Sequence, residues 1–313
     1  MIPWIWCGWG TKGVWQEPSE PFVQAELELL QKELPEPAEF LIGQCRGPQA
    51  CYWRNVKAAD QLHLAPRSTM LCYESVEFEP SPPASKIQFE DIRATLRDGR
   101  EFVAQSRGLF CNSQTPLLVL PNVYFFARGA ADPSYVEKSN EAVLRDFAGF
   151  LGGPPELLVP AWACLRLELD KLPGELPERL RKVRLRGSAA KYLPGGPGLY
   201  LGALASQVES RLKLLHAIER PATSNEEAAR GIALGLESLV GWWKINGYVF
   251  DGVGTEEFRW HFAETSQVVA LQRWCGQNVK DVAVGDLAVK QLVARNILPE
   301  QVARARVRDL LGR

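Results

Sequence analysis

Histidine is scarce in this sequence: among 313 residues there are three, His63, His216 and His261. No H-E-x-x-H pair, no G-x-S-x-G elbow and no Cys/His signature occurs, so the metalloprotease, α/β-hydrolase and cysteine-protease patterns are excluded. Net charge is nearly absent too. The chain carries 36 Lys and Arg against 37 Asp and Glu, a formal charge of -1. That balance excludes a global polyanion-binding surface, and any nucleic-acid contact has to come from local separation of charge. No apolar run reaches the roughly 18 residues of a membrane-spanning helix. The opening stretch MIPWIWCGWGTKGVW is apolar but has no basic flank, and glycines and Lys12 interrupt it. It predicts neither a signal peptide nor a span. The seven cysteines, Cys7, Cys45, Cys51, Cys72, Cys111, Cys164 and Cys275, are odd in number and lack the spacing of a small disulfide scaffold. A reducing, cytoplasmic setting is the expectation.

What is present is the composition of a globular chain, 46% hydrophobic and 23% charged, long enough for two domains. The pattern predicts an α+β fold: a mixed N-terminal part with antiparallel strands over 1–197, and a mostly helical part over 198–313. SEPFVQAELELLQKEL reads as a helix with Leu27, Leu30 and Leu34 on one stripe. Residues 40–84 read as irregular. Asp98-Gly99 between two apolar runs predicts a hairpin. PLLVLPNVYFFA reads as a strand, a Pro-Asn turn and a second apolar run. After Asp132-Pro133 a helix is expected, buried through Val143, Leu144, Phe147 and Leu151 and stopped by Gly152. ACLRLELDK alternates as a half-buried strand does. Beyond Gly198, apolar residues recur at helical spacing through 203–220, 224–243, 255–274, 285–295 and 299–311.

The densest local charge lies in RLRKVRLRGSAAKYLPGGPGLYLG, residues 179–202. Lys182, Arg184 and Arg186 alternate with Val183 and Leu185. An extended backbone would put three cations on one face, about 7 Å apart, and bury the two aliphatics behind them. Cations at that spacing suit phosphates along one nucleic-acid strand. Arg181 and Lys191 extend the patch. The same pattern also fits an edge strand kept soluble by charge. LPGGPGLYLG lacks the Lys-Ser/Thr of a nucleotide P-loop and the G-x-G-x-x-G order, and its prolines remove backbone donors.

Three further features bear on chemistry. Cys45, Cys51 and Cys72, with His63 or Cys111 as a fourth ligand, are candidate ligands of a structural zinc that would staple an irregular region. VFDGVGTEEF ends an apolar run at Asp251 and leads to a helix start at Thr255, which suits a phosphorylated small molecule or nucleotide. A tight turn capped by Thr255 explains the same residues. Arg304, Arg306, Arg308 and Arg313 make the last helix basic, and the final helix pair has the outline of a helix-turn-helix without its turn glycine.

The basic segment Lys182, Arg184 and Arg186, the glycines from Gly195 to Gly202, and Cys45, Cys51 and Cys72 resemble features of RNA-binding and large-like subunits of CRISPR effector complexes. The resemblance implies contact with guide RNA or target DNA inside a multi-subunit particle, without catalysis by this chain. The leading expectation is therefore a non-catalytic nucleic-acid-binding protein, with RNA favoured, protein partners in an assembly and no membrane. The alternatives are an enzyme acting near Asp251 and Thr255, and a protein-interaction module using tryptophan-rich surfaces.

Overall fold

The apolar residues of this chain mostly recur at three- and four-residue intervals, and the structure follows that period. The computed structural model describes residues 20–34, 39–45, 51–73, 76, 87, 89–111, 116–163, 172–193, 195–245 and 266–312. Helix accounts for 74% of them. The chain divides into two compact units, Met1–Pro80 with Gln88–Val143, and Ser81–Ile87 with Leu144–Arg313. No described helix is long and apolar enough to cross a membrane.

The first unit carries helix α1 (Glu20–Glu33) and then alternates: β1 (Phe40–Cys45), α2 (Cys51–Gln61), β2 (Ser68–Tyr73), α3 (Phe89–Asp98), α4 (Arg100–Gln105), β3 (Leu109–Cys111) and α5 (Pro116–Ala131). The strands form one sheet in the order β1-β2-β3, and both pairings are parallel. The expected α+β fold with antiparallel strands is thus corrected: the described residues are mostly helical, with one small, all-parallel sheet. Each connection holds a helix, and a helical crossover returns the chain to the same edge, which gives parallel pairing. Ser68 and Met70 on β2 are fully buried, as a central parallel strand requires.

Three local expectations fall with the antiparallel sheet. Asp98-Gly99 is no hairpin. Phe89, Ile92 and Leu96 are buried at helical spacing, and Gly99 has φ -84°, whereas a two-residue hairpin turn of this type needs positive φ. A Cβ on Gly99 would lie 2.6 Å from Met70 Cε, so packing explains the glycine. PLLVLPNVYFFA belongs to the single helix α5, with Pro121 inside it. Twelve apolar-rich residues are too long for a typical strand, and the buried Asn122 turns its side-chain amide to Val76 O at 2.9 Å. Residues 40–73 are a β-α-β unit with little irregular chain.

Arg93 ties this unit together. It is buried, and its guanidinium donates to the carbonyls of Val136 (3.0 Å) and Lys138 (2.5 Å), to Asn140 Oδ1 (2.6 Å) and to Glu90 (2.6 Å). Its guanidinium carbon lies 5.0 Å from the Phe125 ring centroid. These acceptors sit around a 3-10 turn, Pro133–Glu137, whose start is capped by Asp132 through Ser134. Hydrogen bonds from Ser134 hold the Asp132 carboxyl below its ordinary value. A depressed carboxylate stabilises the fold above its unfolded pKa, and that contribution fades as pH falls through the folded value.

The regular elements described in the second unit are all helices: the C-terminal part of α6 (Asn140–Leu151), α7 (Pro155–Ala163), α8 (Leu176–Arg181), α9 (Gly196–Ile218), α10 (Asn225–Ile245), α11 (Ser266–Asn278), α12 (Ala283–Ala294) and α13 (Glu300–Leu310). Val143, Leu144, Phe147 and Leu151 are buried as expected, and Gly152 ends α6 at φ 65°. Trp162 donates to the Tyr200 hydroxyl at 2.7 Å, with both side chains fully buried. Burial pushes the Tyr200 phenol well above its ordinary pKa, and the Trp162 bond opposes this. A second cluster joins Leu214, Ile232, Leu236, Leu271, Trp274 and Leu292. Gly231 and Gly235 on α10 leave room for Trp274 and Leu271 to approach closely. The ACLRLELDK strand expectation falls at 164–171, outside the described residues.

Arg93→Met should lower the stability of the first unit by about 3 kcal/mol, because buried carbonyls lose charged donors. Arg97→Met, which removes an exposed pair with Glu137 at 2.6 Å, should cost less than about 1 kcal/mol. Chemical denaturation of both variants would check the contrast, and equal losses would contradict it.

Candidate nucleic-acid interface

The basic run singled out from the sequence, Arg181, Lys182, Arg184, Arg186 and Lys191, lies in the second unit, from the end of α8 to the turn before α9. Leu176, Pro177 and Leu180 bury the short helix α8, and Arg181 at its end reaches Glu209 on α9 at 2.7 Å. Lys182 caps the helix, its N–H donating to the Arg179 carbonyl and the next N–H, of Val183, to the Leu180 carbonyl, each at 3.1 Å. The chain then runs through 183–186 without regular secondary structure.

This corrects the strand expectation for KVRLR, since the segment belongs to no sheet among the described residues. Among the described residues it forms no sheet edge for the charges to protect. The alternation of faces nevertheless survives. Lys182, Arg184 and Arg186 are exposed, while Val183 and Leu185 are half-buried. Leu185 is held where a Cβ on Gly153 would lie, 2.7 Å from its Cδ2.

The backbone on the C-terminal side is fixed by a close approach. Arg186 N–H donates to Gly152 O (3.1 Å), and Gly187 N–H donates to Leu151 O (2.9 Å). A Cβ on Gly152 would run into the Gly187 nitrogen, and one on Gly187 into the Phe150 carbonyl oxygen. A 3-10 turn follows, Ser188–Tyr192, with Ala190 buried and Lys191 exposed. The Lys191 ammonium lies 4.8 Å from the Tyr192 ring centroid. Gly195 (φ 69°) and Gly196 (φ 84°) then turn the chain into α9, conformations that side chains rarely adopt. A Cβ on Gly196 or Gly198 would meet nothing within 4 Å.

Charge pairing separates these cations. Arg179 and Arg181 each face a glutamate, Glu175 at 3.8 Å and Glu209 at 2.7 Å. Among the described residues, Lys182, Arg184, Arg186 and Lys191 have no acidic partner. Four cations left to solvent within ten residues make a local positive surface on a nearly neutral chain.

In the terminal helix pair Arg308 is exposed, but its neighbours are engaged. Arg304 is occupied by Glu300 (2.8 Å) and Asp286 (3.1 Å). Arg306, read from the sequence as part of a basic face, is buried beside Asp309 at 2.9 Å.

The candidate zinc ligands take regular positions. Cys45 ends β1, Cys51 opens α2, and Cys72 on β2 is in register with Cys111 on β3. His63 is exposed, at φ 55° in the turn after α2. Among the described residues no group of three His, Cys, Asp or Glu is placed to hold a metal ion. The structural reason for a staple weakens as well, because 40–73 folds as a β-α-β unit. Burial pushes the Cys275 thiol up to about 12, which suits a packing role in the helical core. Asp251 and Thr255 fall outside the described residues.

Two features of this surface were missed from the sequence. Tyr192 is 76% exposed, and its only sequence signal is its place beside Lys191 after the cationic run. Leu199, in the first turns of α9, is exposed too.

Gly187→Ala should destabilise the second unit by about 1–3 kcal/mol, because the added methyl meets backbone that cannot rotate aside. Gly174→Ala, where a Cβ meets nothing within 4 Å, should stay within about 0.5 kcal/mol of wild type. Thermal melts of the two variants would check this, and similar shifts would contradict the close approach. The chain matches no protein-family model, no curated protein and no solved structure.

Proposed function

We propose that this chain is a non-catalytic nucleic-acid-binding protein, with RNA favoured, that holds phosphates through Lys182, Arg184, Arg186 and Lys191. The observation that carries the reading is the set of exposed cations that have no acidic partner among the described residues, on a segment pinned at Arg186 and Gly187. Exposure alternates along it: Lys182, Arg184 and Arg186 are exposed, and Val183 and Leu185 are half-buried between them. Phosphate contacts of this kind position a nucleic acid without reading its sequence. Arg181 contributes less, because Glu209 already shares its charge. The open backbone at Gly196 and Gly198 lets a sugar-phosphate chain approach closely. The resemblance to RNA-binding subunits of CRISPR effector complexes adds the proposal that the chain works within a multi-subunit ribonucleoprotein.

Fluorescence anisotropy with a labelled single-stranded RNA across a salt series tests the reading. For single strands the logarithm of affinity falls with the logarithm of salt by about 0.7 per phosphate contact. The triple variant Lys182→Ala, Arg184→Ala, Arg186→Ala should therefore flatten the salt slope by about 2 and weaken binding roughly tenfold or more at low salt. Arg181→Ala should do much less. Equal binding by wild type and the triple variant, or no binding by either, would overturn the proposal.

A further inference from the structure

We infer that Tyr192 is a stacking platform for an unpaired base, so that the site takes single-stranded RNA in preference to duplex. The inference rests on the phosphate-binding reading above and adds what that reading lacks, a contact that depends on strandedness. Tyrosine carries a large apolar ring that ordinarily packs with only its hydroxyl wet, yet Tyr192 is 76% exposed.

That exposure is imposed by a held backbone. Ala190 N–H donates to Gly187 O (3.0 Å), Leu193 N–H to Ala190 O (3.2 Å) and Gly196 N–H to Leu193 O (2.8 Å). Ala190 and Leu193, two residues before and one after the ring, are buried. The turn is thus anchored on both sides while the ring stands out between them. The Lys191 ammonium sits 4.8 Å from the ring centroid, a cation-π contact that orients the ring and keeps a positive charge beside it.

The placement along the chain completes the argument. Lys182, Arg184 and Arg186 precede the ring within one pinned segment, so cations for phosphates and a ring for a base follow one another. Cationic tracks interleaved with exposed aromatics are how single strands are bound without sequence preference. A base inside a duplex is already stacked on both faces and cannot lie on Tyr192, whereas the phosphates of a duplex remain available to the cations.

The test uses the full chain with a labelled oligouridylate and an RNA duplex of equal length. Wild type should prefer the single strand. Tyr192→Ala should lose roughly tenfold in affinity for it and leave duplex binding unchanged, while Tyr192→Phe should keep wild-type affinity for both. Photocrosslinking with 5-iodouridine RNA should place the adduct on Tyr192, a readout that a purely structural role would not produce. Unchanged single-strand affinity in Tyr192→Ala, or equal losses for both RNAs, would overturn the inference while leaving the phosphate reading intact. Failure of wild type to bind either RNA would overturn both.

Discussion

Two backbone hydrogen bonds set where the cations of this protein stand. Arg186 N–H reaches Gly152 O, and Gly187 N–H reaches Leu151 O. They form only because both chains lack a side chain at the contact. Gly152 also adopts a left-handed conformation there, which ends α6 and turns its last carbonyls toward the passing segment. Without that approach, Lys182–Arg186 would be a mobile basic loop, whose ordering on binding would cost entropy. With it, the cations are presented in fixed alternation over half-buried Val183 and Leu185. The 3-10 turn that raises Tyr192 begins at the next residue.

The packing beneath this segment follows from larger side chains. Trp162 and Tyr200 share a buried hydrogen bond and fix the first turns of α9, and Phe147 packs on Trp162 with ring centroids 4.9 Å apart. The glycine-proline stretch leading into α9 therefore ends on a held helix. The first unit is organised differently, by a parallel sheet and by Arg93 collecting carbonyls around a short turn. Its cysteines at the strand ends take their places from the β-α-β order.

Much of the helical architecture was legible in the sequence. The stripe Val143, Leu144, Phe147 and Leu151, and that of Ala229, Ile232, Leu236 and Leu239, are buried as their spacing demands. The last two helices fall within the expected spans, with Asn296 (φ 55°) and Pro299 in the turn between them. The errors came from strong local turn signals. Asp98-Gly99 and Pro121-Asn122 look like turns, yet tertiary packing of Met70 against Gly99 and the length of the apolar run around Pro121 decide otherwise. The direction of strand pairing is not written in any strand; it follows from the helices between them. At the basic segment the alternation was legible because polar and apolar residues strictly alternate. The backbone pairing of the segment with Gly152 and Leu151, the acidic partners of Arg179 and Arg181, and the exposure of Tyr192 all depend on residues elsewhere in the chain.

The proposal places the RNA contact on the pinned segment around residues 182–192. Hydrogen-deuterium exchange with and without a single-stranded RNA locates that contact directly. The account predicts that slowed exchange concentrates in peptides covering residues 182–199, with little change in those covering residues 283–311. Protection centred on the terminal helices, or no protection in the 182–199 peptides while RNA is bound, would contradict it.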